Sequence, residues 1–241
     1  MKICVISDTH SMHKKLTIPK VDVLVHCGDF TWDGKFWDVK HFCSWLEKQP
    51  ATHKICIAGN HELTFDHNDS KYDLKVRTLL SQHPDKSIHY LENESLTIDG
   101  IKFYGTPWTP WFCDWAFNGI TDYDMPFRRG RSLTEIYSHI PSDVQVLVCH
   151  GPVYRICDLS ERDDERTGSV EMRKLTAEKL TKLQLYLCGH IHEARGMEVA
   201  DGGVTFINAS SIARDYQTMN PPIVIHLDED GNVNSVEGVE L

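Results

Sequence analysis

Five short apolar runs, at residues 3–6, 21–25, 55–58, 144–148 and 183–187, each end in a tight polar cluster, and no other feature constrains this chain as strongly. Near-continuous hydrophobicity over so few residues marks strands buried on both faces, in a sheet covered by helices. The clusters that follow are Asp8-x-His10, Gly28-Asp29, Gly59-Asn60-His61-Glu62, His150-Gly151-Pro152 and Gly189-His190-x-His192. In open α/β sheets ligands bind beyond the carboxyl ends of the strands, so the five clusters are expected to meet in space. Glycine recurs among them because a strand that turns sharply around a ligand has no room there for a Cβ.

Between the runs lie stretches with helical spacing at 36–47, 72–81, 132–139 and 170–182, and the alternation implies an α/β architecture with crossover helices. Further strands are expected at 101–104, 204–207, 223–227 and near Val233. Turns at Gly202-Gly203, Pro221-Pro222 and Asp230-Gly231 make that last portion antiparallel or mixed, and suggest a second sheet. No Pro/Ser/Gly linker or repeat divides the chain, so residues 1–241 are read as one domain. Residues 106–131 have no clean period and hold Trp108, Trp111, Trp115 and Phe117, the pattern of a structured loop.

Composition narrows the ligand class. Twenty-five Lys and Arg stand against 35 Asp and Glu, a net charge of -10 with His neutral, which repels long nucleic acids. No apolar run approaches the ~18 residues of a membrane-spanning helix. The eight cysteines, Cys4, Cys27, Cys43, Cys56, Cys113, Cys149, Cys157 and Cys188, form no C-x-x-C pair, and most fall in apolar runs. They read as reduced core residues of a cytoplasmic protein, and the N-terminus, MKICVISDTH, carries no leader pattern.

Singly, each motif is a weak signal, since a histidine beside an apolar run is usually structural. The ordered set of five is specific. It mixes carboxylate, carboxamide and imidazole without thiolate, a donor set suited to Mn, Fe, Zn or Co and poor for Cu(I), Ca or an iron–sulfur cluster. D-x-H, G-D, G-N-H-E, H-G and G-H-x-H in this order resemble the calcineurin-like metallophosphoesterases over nearly the whole chain. ISDTH, HCGDFT, AGNHELTFD, YGTPWTPWF, CHGPVYRICDL, CGHIHEARG, INAS and NPPIVIHLD are similar to its metallophosphoesterase-domain-containing branch, which is akin to a brain-expressed phosphodiesterase group.

The resemblance implies a two-sheet mixed β-sandwich flanked by helices, a four-layer αββα fold. It also implies two divalent transition-metal ions, Mn foremost. One would take Asp8, His10 and His192, the other Asn60, His150 and His190, with Asp29 bridging both. His61 remains as a catalytic imidazole that binds no metal, while Glu62 either orients it or caps the turn. The implied chemistry is in-line attack on a small or nucleotide-like phosphodiester by a hydroxide shared between ions about 3.5 to 4 Å apart. The alternatives are a phosphomonoesterase or protein phosphatase, or a metal-binding scaffold with vestigial activity.

Outside this set the readings are plainer. Trp108, Trp111, Trp115 and Phe117 form either a hydrophobic cluster under their loop or an aromatic lip for a flat leaving group. Arg128, Arg129 and Arg131 form either a solvated helix entrance or a rim attracting a phosphorylated substrate. Asn208, with Ala209 and Ser210, either contacts the site or fills a turn. His13, His26, His67 and His226 receive no role, and residues 161–166, alternating in charge, read as a solvated loop.

Overall fold

The computed structural model describes residues 1–125, 127, 129–162, 164–200 and 202–239. Arg128 of the basic cluster lies outside the described residues. The first half of the chain runs β1 (Lys2–Ile6), β2 (Val21–His26), α1 (Phe36–Leu46), β3 (Ala51–Cys56), α2 (Leu74–Ser81) and β4 (Ile88–Tyr90). The second runs β5 (Glu94–Ile98), β6 (Ile101–Thr106), β7 (Thr109–Pro110), β8 (Asn118–Gly119), α3 (Leu133–Ser138), β9 (Val146–Cys149), β10 (Leu159–Ser160), β11 (Glu165–Arg166), α4 (Val170–Glu178), β12 (Leu185–Cys188), β13 (Gly196–Val199) and β14 (Thr205–Asn208). β15 (Ile223–Leu227) and β16 (Val233–Glu237) close the fold.

Two six-stranded mixed sheets result. One has the order β16-β15-β1-β2-β3-β4 and the other β13-β14-β12-β9-β6-β5. The central strands β1 to β4 are mutually parallel, as are β6, β9, β12 and β14, and the antiparallel strands sit at the margins.

Side chains alternate across a strand, and the core divides accordingly. Ile3, Val5, Val23, Val25 and Ile55 of the first sheet pack with Phe103, Val146, Val148, Leu185, Leu187 and Ile207 of the second. Their neighbours of opposite parity, Cys4, Ile6, Leu24 and Cys56, join Phe42 and Leu46 of α1 and Val76 and Leu80 of α2. Tyr104, Leu147, Cys149 and Tyr186 likewise join Tyr137 of α3 and Met172 of α4. Helix, sheet, sheet and helix form the four layers expected. Seven cysteines are buried, Cys113 is exposed, and all eight are free thiols.

Several boundaries differ from the sequence reading. β3 begins at Ala51 and α4 stops at Glu178. β4, β5 and β13 carry no long apolar run, because each is short or lies at a sheet margin where only some positions are covered. Asp99 (φ 48°) and Gly100 (φ 84°) supply the left-handed turn that pairs β5 with β6. β14 joins the second sheet, whereas β15 and β16 return to the first. Among the described residues no helix is long and apolar enough to cross a membrane.

Candidate metal centre

The carboxyl ends of five parallel strands deliver the five clusters to one place. Asp8 and His10 follow β1, Asp29 follows β2, Asn60 and His61 follow β3, His150 follows β9, and His190 and His192 follow β12. The two sheets are tied together here: His150 Nδ1–H donates to the Cys27 carbonyl at 2.8 Å, and the His190 N–H donates to the Asp8 carboxylate at 3.0 Å. Asp8, His10, Asp29 and His190 all have positive φ, between 39° and 70°. Four non-glycine residues in the left-handed region at one site is stored strain, held because the surrounding hydrogen bonds over-determine it.

Three groups of ligand-type atoms lie within 4.8 Å of one another: Asp8, His10 and His192; Asp29, His150 and His190; and His10, Asp29 and His61. His10 Nε2 lies 3.3 Å from His192 Nε2, which is 3.7 Å from Asp8 Oδ1. His150 Nε2 lies 2.9 Å from Asn60 Oδ1 and 3.3 Å from Asp29 Oδ2. All seven sequence-derived ligand candidates are therefore brought together, and His61 joins a third group with His10 and Asp29. A Cβ at Gly189 would collide with the Asp8 carboxylate and Ser7, and one at Gly59 would lie 2.6 Å from the His150 ring. Both positions need glycine to let the ligands close.

His61 stands beside the ligands. Its backbone N–H donates to Asp29 Oδ1 at 2.8 Å, and its Nε2 is 3.9 Å from Asp29 Oδ2. Nδ1 lies 2.8 Å from the Trp32 carbonyl, which can only accept, so Nδ1 carries the hydrogen and Nε2 is left for chemistry. Glu62 makes no contact with that ring. It accepts from the N–H groups of Gly59, Asp29 and Thr31 and from Thr31 Oγ, at 2.7 to 2.9 Å, and so caps the turn and splices the loop after β3 to the loop after β2.

Burial opposes ionisation of Asp8 and Asp29, but histidine neighbours outweigh it. The His192 hydrogen bond holds Asp8 well below the usual carboxylate range, and the His150 charge does the same for Asp29. Burial works against the charged His150 ring too, yet Asp29 raises it to about 9. Burial lowers His10 to about 4 and His190 to about 3. Burial, reinforced by Asp29, pushes Glu62 up to about 8.

Asp29, Asn60, His61, His190 and His192 line a cavity of about 870 Å³. Trp32, Trp111, Phe112, Trp115 and Tyr216 supply its aromatic walls, and Arg162, Arg166 and Arg214 its cations. Trp115 packs on His61 at 4.1 Å between ring centroids, and Trp32 stacks on His10 at 4.5 Å. Trp108 and Phe117 are buried in the core instead, so the 106–131 segment divides between the two readings. Arg129 and Arg131 line a separate cavity with Asp66 and Asp69, and the Arg131 guanidinium sits 4.8 Å over the Trp108 ring. They are no rim to the ligand cluster. The 161–166 run, read as solvated loop, contributes Arg162, Glu165 and Arg166 to the cavity wall, Arg166 from the small hairpin of β10 and β11. Asn208 is the buried last residue of β14 and fills no turn: it donates to the Ile191 carbonyl at 2.8 Å, bracing the segment between His190 and His192.

The model of the family described as calcineurin-like phosphoesterase matches residues 1–194. The chain belongs to that family. It is 39% identical over 239 residues to metallophosphoesterase domain-containing protein 1 of Homo sapiens, covering 93% of this chain and 70% of the relative. A UPF0046 protein of Caenorhabditis elegans is 33% identical over 234 residues, covering 94% of this chain and 75% of its own. A 5'-nucleotidase precursor from Thermus thermophilus shares the fold with a TM-score of 0.50 at 9% identity, over 99% of this chain and 54% of that one.

As a calcineurin-like phosphoesterase the chain is a metal-dependent phosphoester hydrolase, and its donor set fits divalent ions. With Nδ1–H committed to Cys27, the His150 Nε2 lone pair meets two oxygens, an arrangement that requires positive charge between them, as a proton or a cation. His10 Nε2 and His192 Nε2 face each other at 3.3 Å beside Asp8, where a cation could take a lone pair from each.

Proposed function

We propose that the chain is a dinuclear-metal phosphodiesterase hydrolysing a small or nucleotide-like phosphodiester, with residues 1–241 acting as one domain. The observation that carries this reading is the pair of ligand clusters linked through His10 and Asp29 beside an aromatic-walled cavity. Asp8, His10 and His192 would hold one ion, Asn60, His150 and His190 the other, with Asp29 shared. The donor set suits Mn, Fe, Zn or Co, and the family resemblance puts Mn foremost. When bound, two such ions supply Lewis acidity and a nucleophile of lowered pKa.

The chain's own residues do the rest. The Asp29 carboxylate has two oxygens and one negative charge to offset repulsion between cations, and neutral Asn60 leaves the site positive enough to accept a phosphate ester. His61, fixed by the Trp32 carbonyl, presents Nε2 to the cavity; as the imidazolium, with a second proton on Nε2, it can pass that proton to the leaving oxygen and keep the Nδ1 hydrogen. Trp115 against His61 offers that leaving group an apolar surface. A diester suits the cavity better than a dianionic monoester, because it brings one negative charge and two organic substituents to a site with aromatic walls.

The test is hydrolysis of bis-p-nitrophenyl phosphate and p-nitrophenyl phosphate with added Mn²⁺. The expected outcome is a higher kcat/KM for the diester, loss of both activities on chelation, and two ions per chain by elemental analysis. A higher kcat/KM for the monoester overturns the diester assignment; full activity in chelator overturns the metal site.

A further inference from the structure

Tyr216 lies beyond residues 1–194, the span that the family shares, yet it enters the cavity of the metal centre. Its ring centroid is 4.9 Å from His192, 5.8 Å from His10 and 5.7 Å from Trp32. The residue is nonetheless 46% exposed, and it lines the cavity. Its φ is +55°, a conformation that a bulky side chain adopts only under constraint.

The constraint is visible in the loop. Ile212 and Met219 pair at its base, the Ala213 N–H donates to the Thr218 carbonyl at 2.9 Å, and the Tyr216 N–H donates to the Ala213 carbonyl at 2.9 Å. The Asp215 carboxylate accepts from the N–H groups of Gln217 and Thr218, each at 2.8 Å, and from Thr218 Oγ. Every one of these bonds serves a short excursion whose tip is a strained aromatic residue over the ligands. A tip needed only for packing would be buried.

We infer that Tyr216 is a substrate-binding residue that selects phosphodiesters carrying a flat, aromatic substituent on the non-leaving oxygen. The inference rests on the diesterase reading above. In that reading the leaving group sits by His61, where Trp115 packs. Tyr216 makes no ring contact with either residue; it packs on His192, His10 and Trp32, which places it one ring removed from His61. The substituent that stays on phosphorus points away from the proton donor, and Tyr216 offers it a π-face.

The experiment compares methyl p-nitrophenyl phosphate with phenyl p-nitrophenyl phosphate in Mn²⁺-loaded protein. The leaving group is the same in both, so only the retained substituent differs. The wild-type chain is expected to show a KM about tenfold lower for the phenyl ester, within the range of aromatic stacking. Tyr216→Ala abolishes that difference by raising KM for the phenyl ester alone, with kcat and metal content held; Tyr216→Phe keeps it. A difference that persists in Tyr216→Ala overturns the inference, as does an equal loss on both esters with reduced metal content, which is the signature of a residue that merely supports His192. Should the wild-type chain hydrolyse neither diester but act on p-nitrophenyl phosphate, the diesterase reading itself falls.

Discussion

His61 and Asp29 are both polar, both beside the ligands, and joined by a 2.8 Å hydrogen bond, yet their removal should have different consequences. Asp29 is buried at the meeting of two ligand groups, so Asp29→Ala is expected to lose metal and activity together. His61 is more exposed, and its ring is anchored to a backbone carbonyl, so His61→Ala should keep both ions while turnover falls by ~10² to 10⁴, the usual cost of losing a general acid. Elemental analysis beside kinetics separates them, and a metal-free His61→Ala would make His61 a ligand, consistent with its place in a third group with His10 and Asp29. Residues of this kind were legible in the sequence because glycine, carboxylate and imidazole recur at the ends of apolar runs. Trp32 was within reach too, three residues past Asp29, but it acts through its carbonyl, and a main-chain acceptor leaves no trace in residue type. Tyr216 had no signal at all: nothing about an Asp-Tyr-Gln-Thr loop says what its tip will touch.

At the scale of elements, the buried central strands were readable from hydrophobic runs, while the edge strands and the 106–131 segment were not, for the same reason. An edge strand and a looped segment each meet the core with only some of their residues, so neither produces a run or a clean period. Trp108 and Trp111 show the point, three positions apart and on opposite sides of the question. Trp108 is 3% exposed, its carbonyl accepts from Tyr137 Oη at 2.8 Å, and its ring packs edge-on against Phe117. Trp108→Ala should therefore cost roughly 3–5 kcal/mol of stability with KM unchanged, as for other large-to-small core replacements. Trp111 lines the ligand cavity, and Trp111→Ala should raise KM for an aromatic diester several-fold with little loss of thermal stability. Denaturation midpoints and KM on both variants decide between the assignments, which are wrong if the two variants behave alike.

For the whole molecule, part of the chain's response to acid is set outside the metal ligands, in the layer between the first sheet and its helices. His13 packs against Phe42 and Trp45 with both ring nitrogens unpartnered, and His26 bonds Thr9 Oγ at 2.9 Å. Both are buried, which lowers His13 to about 4 and His26 to about 3. The sequence could mark these positions only as histidines without a role, since burial depends on how α1 lies across β1 and β2. The consequence has a definite sign. An unfolded histidine titrates near ~6.5, so below that pH the unfolded chain takes up protons that the folded chain refuses. Stability is therefore complete above pH ~6.5 and is lost as pH falls towards 4, at up to ~1.4 kcal/mol per pH unit for each ring. By pH 5 the pair should cost roughly 4 kcal/mol, a large share of the 5–15 kcal/mol typical of a folded domain. His13→Leu removes one of the two rings without emptying the space between Phe42 and Trp45. Urea unfolding at pH 7 and pH 5 should then show a pH-dependent loss smaller than that of the wild-type chain by roughly 2 kcal/mol, with stability at pH 7 equal or higher because two unpaired ring nitrogens are gone. An undiminished loss in His13→Leu would place the acid sensitivity elsewhere, most directly in His10 and His190, whose rings burial also keeps neutral.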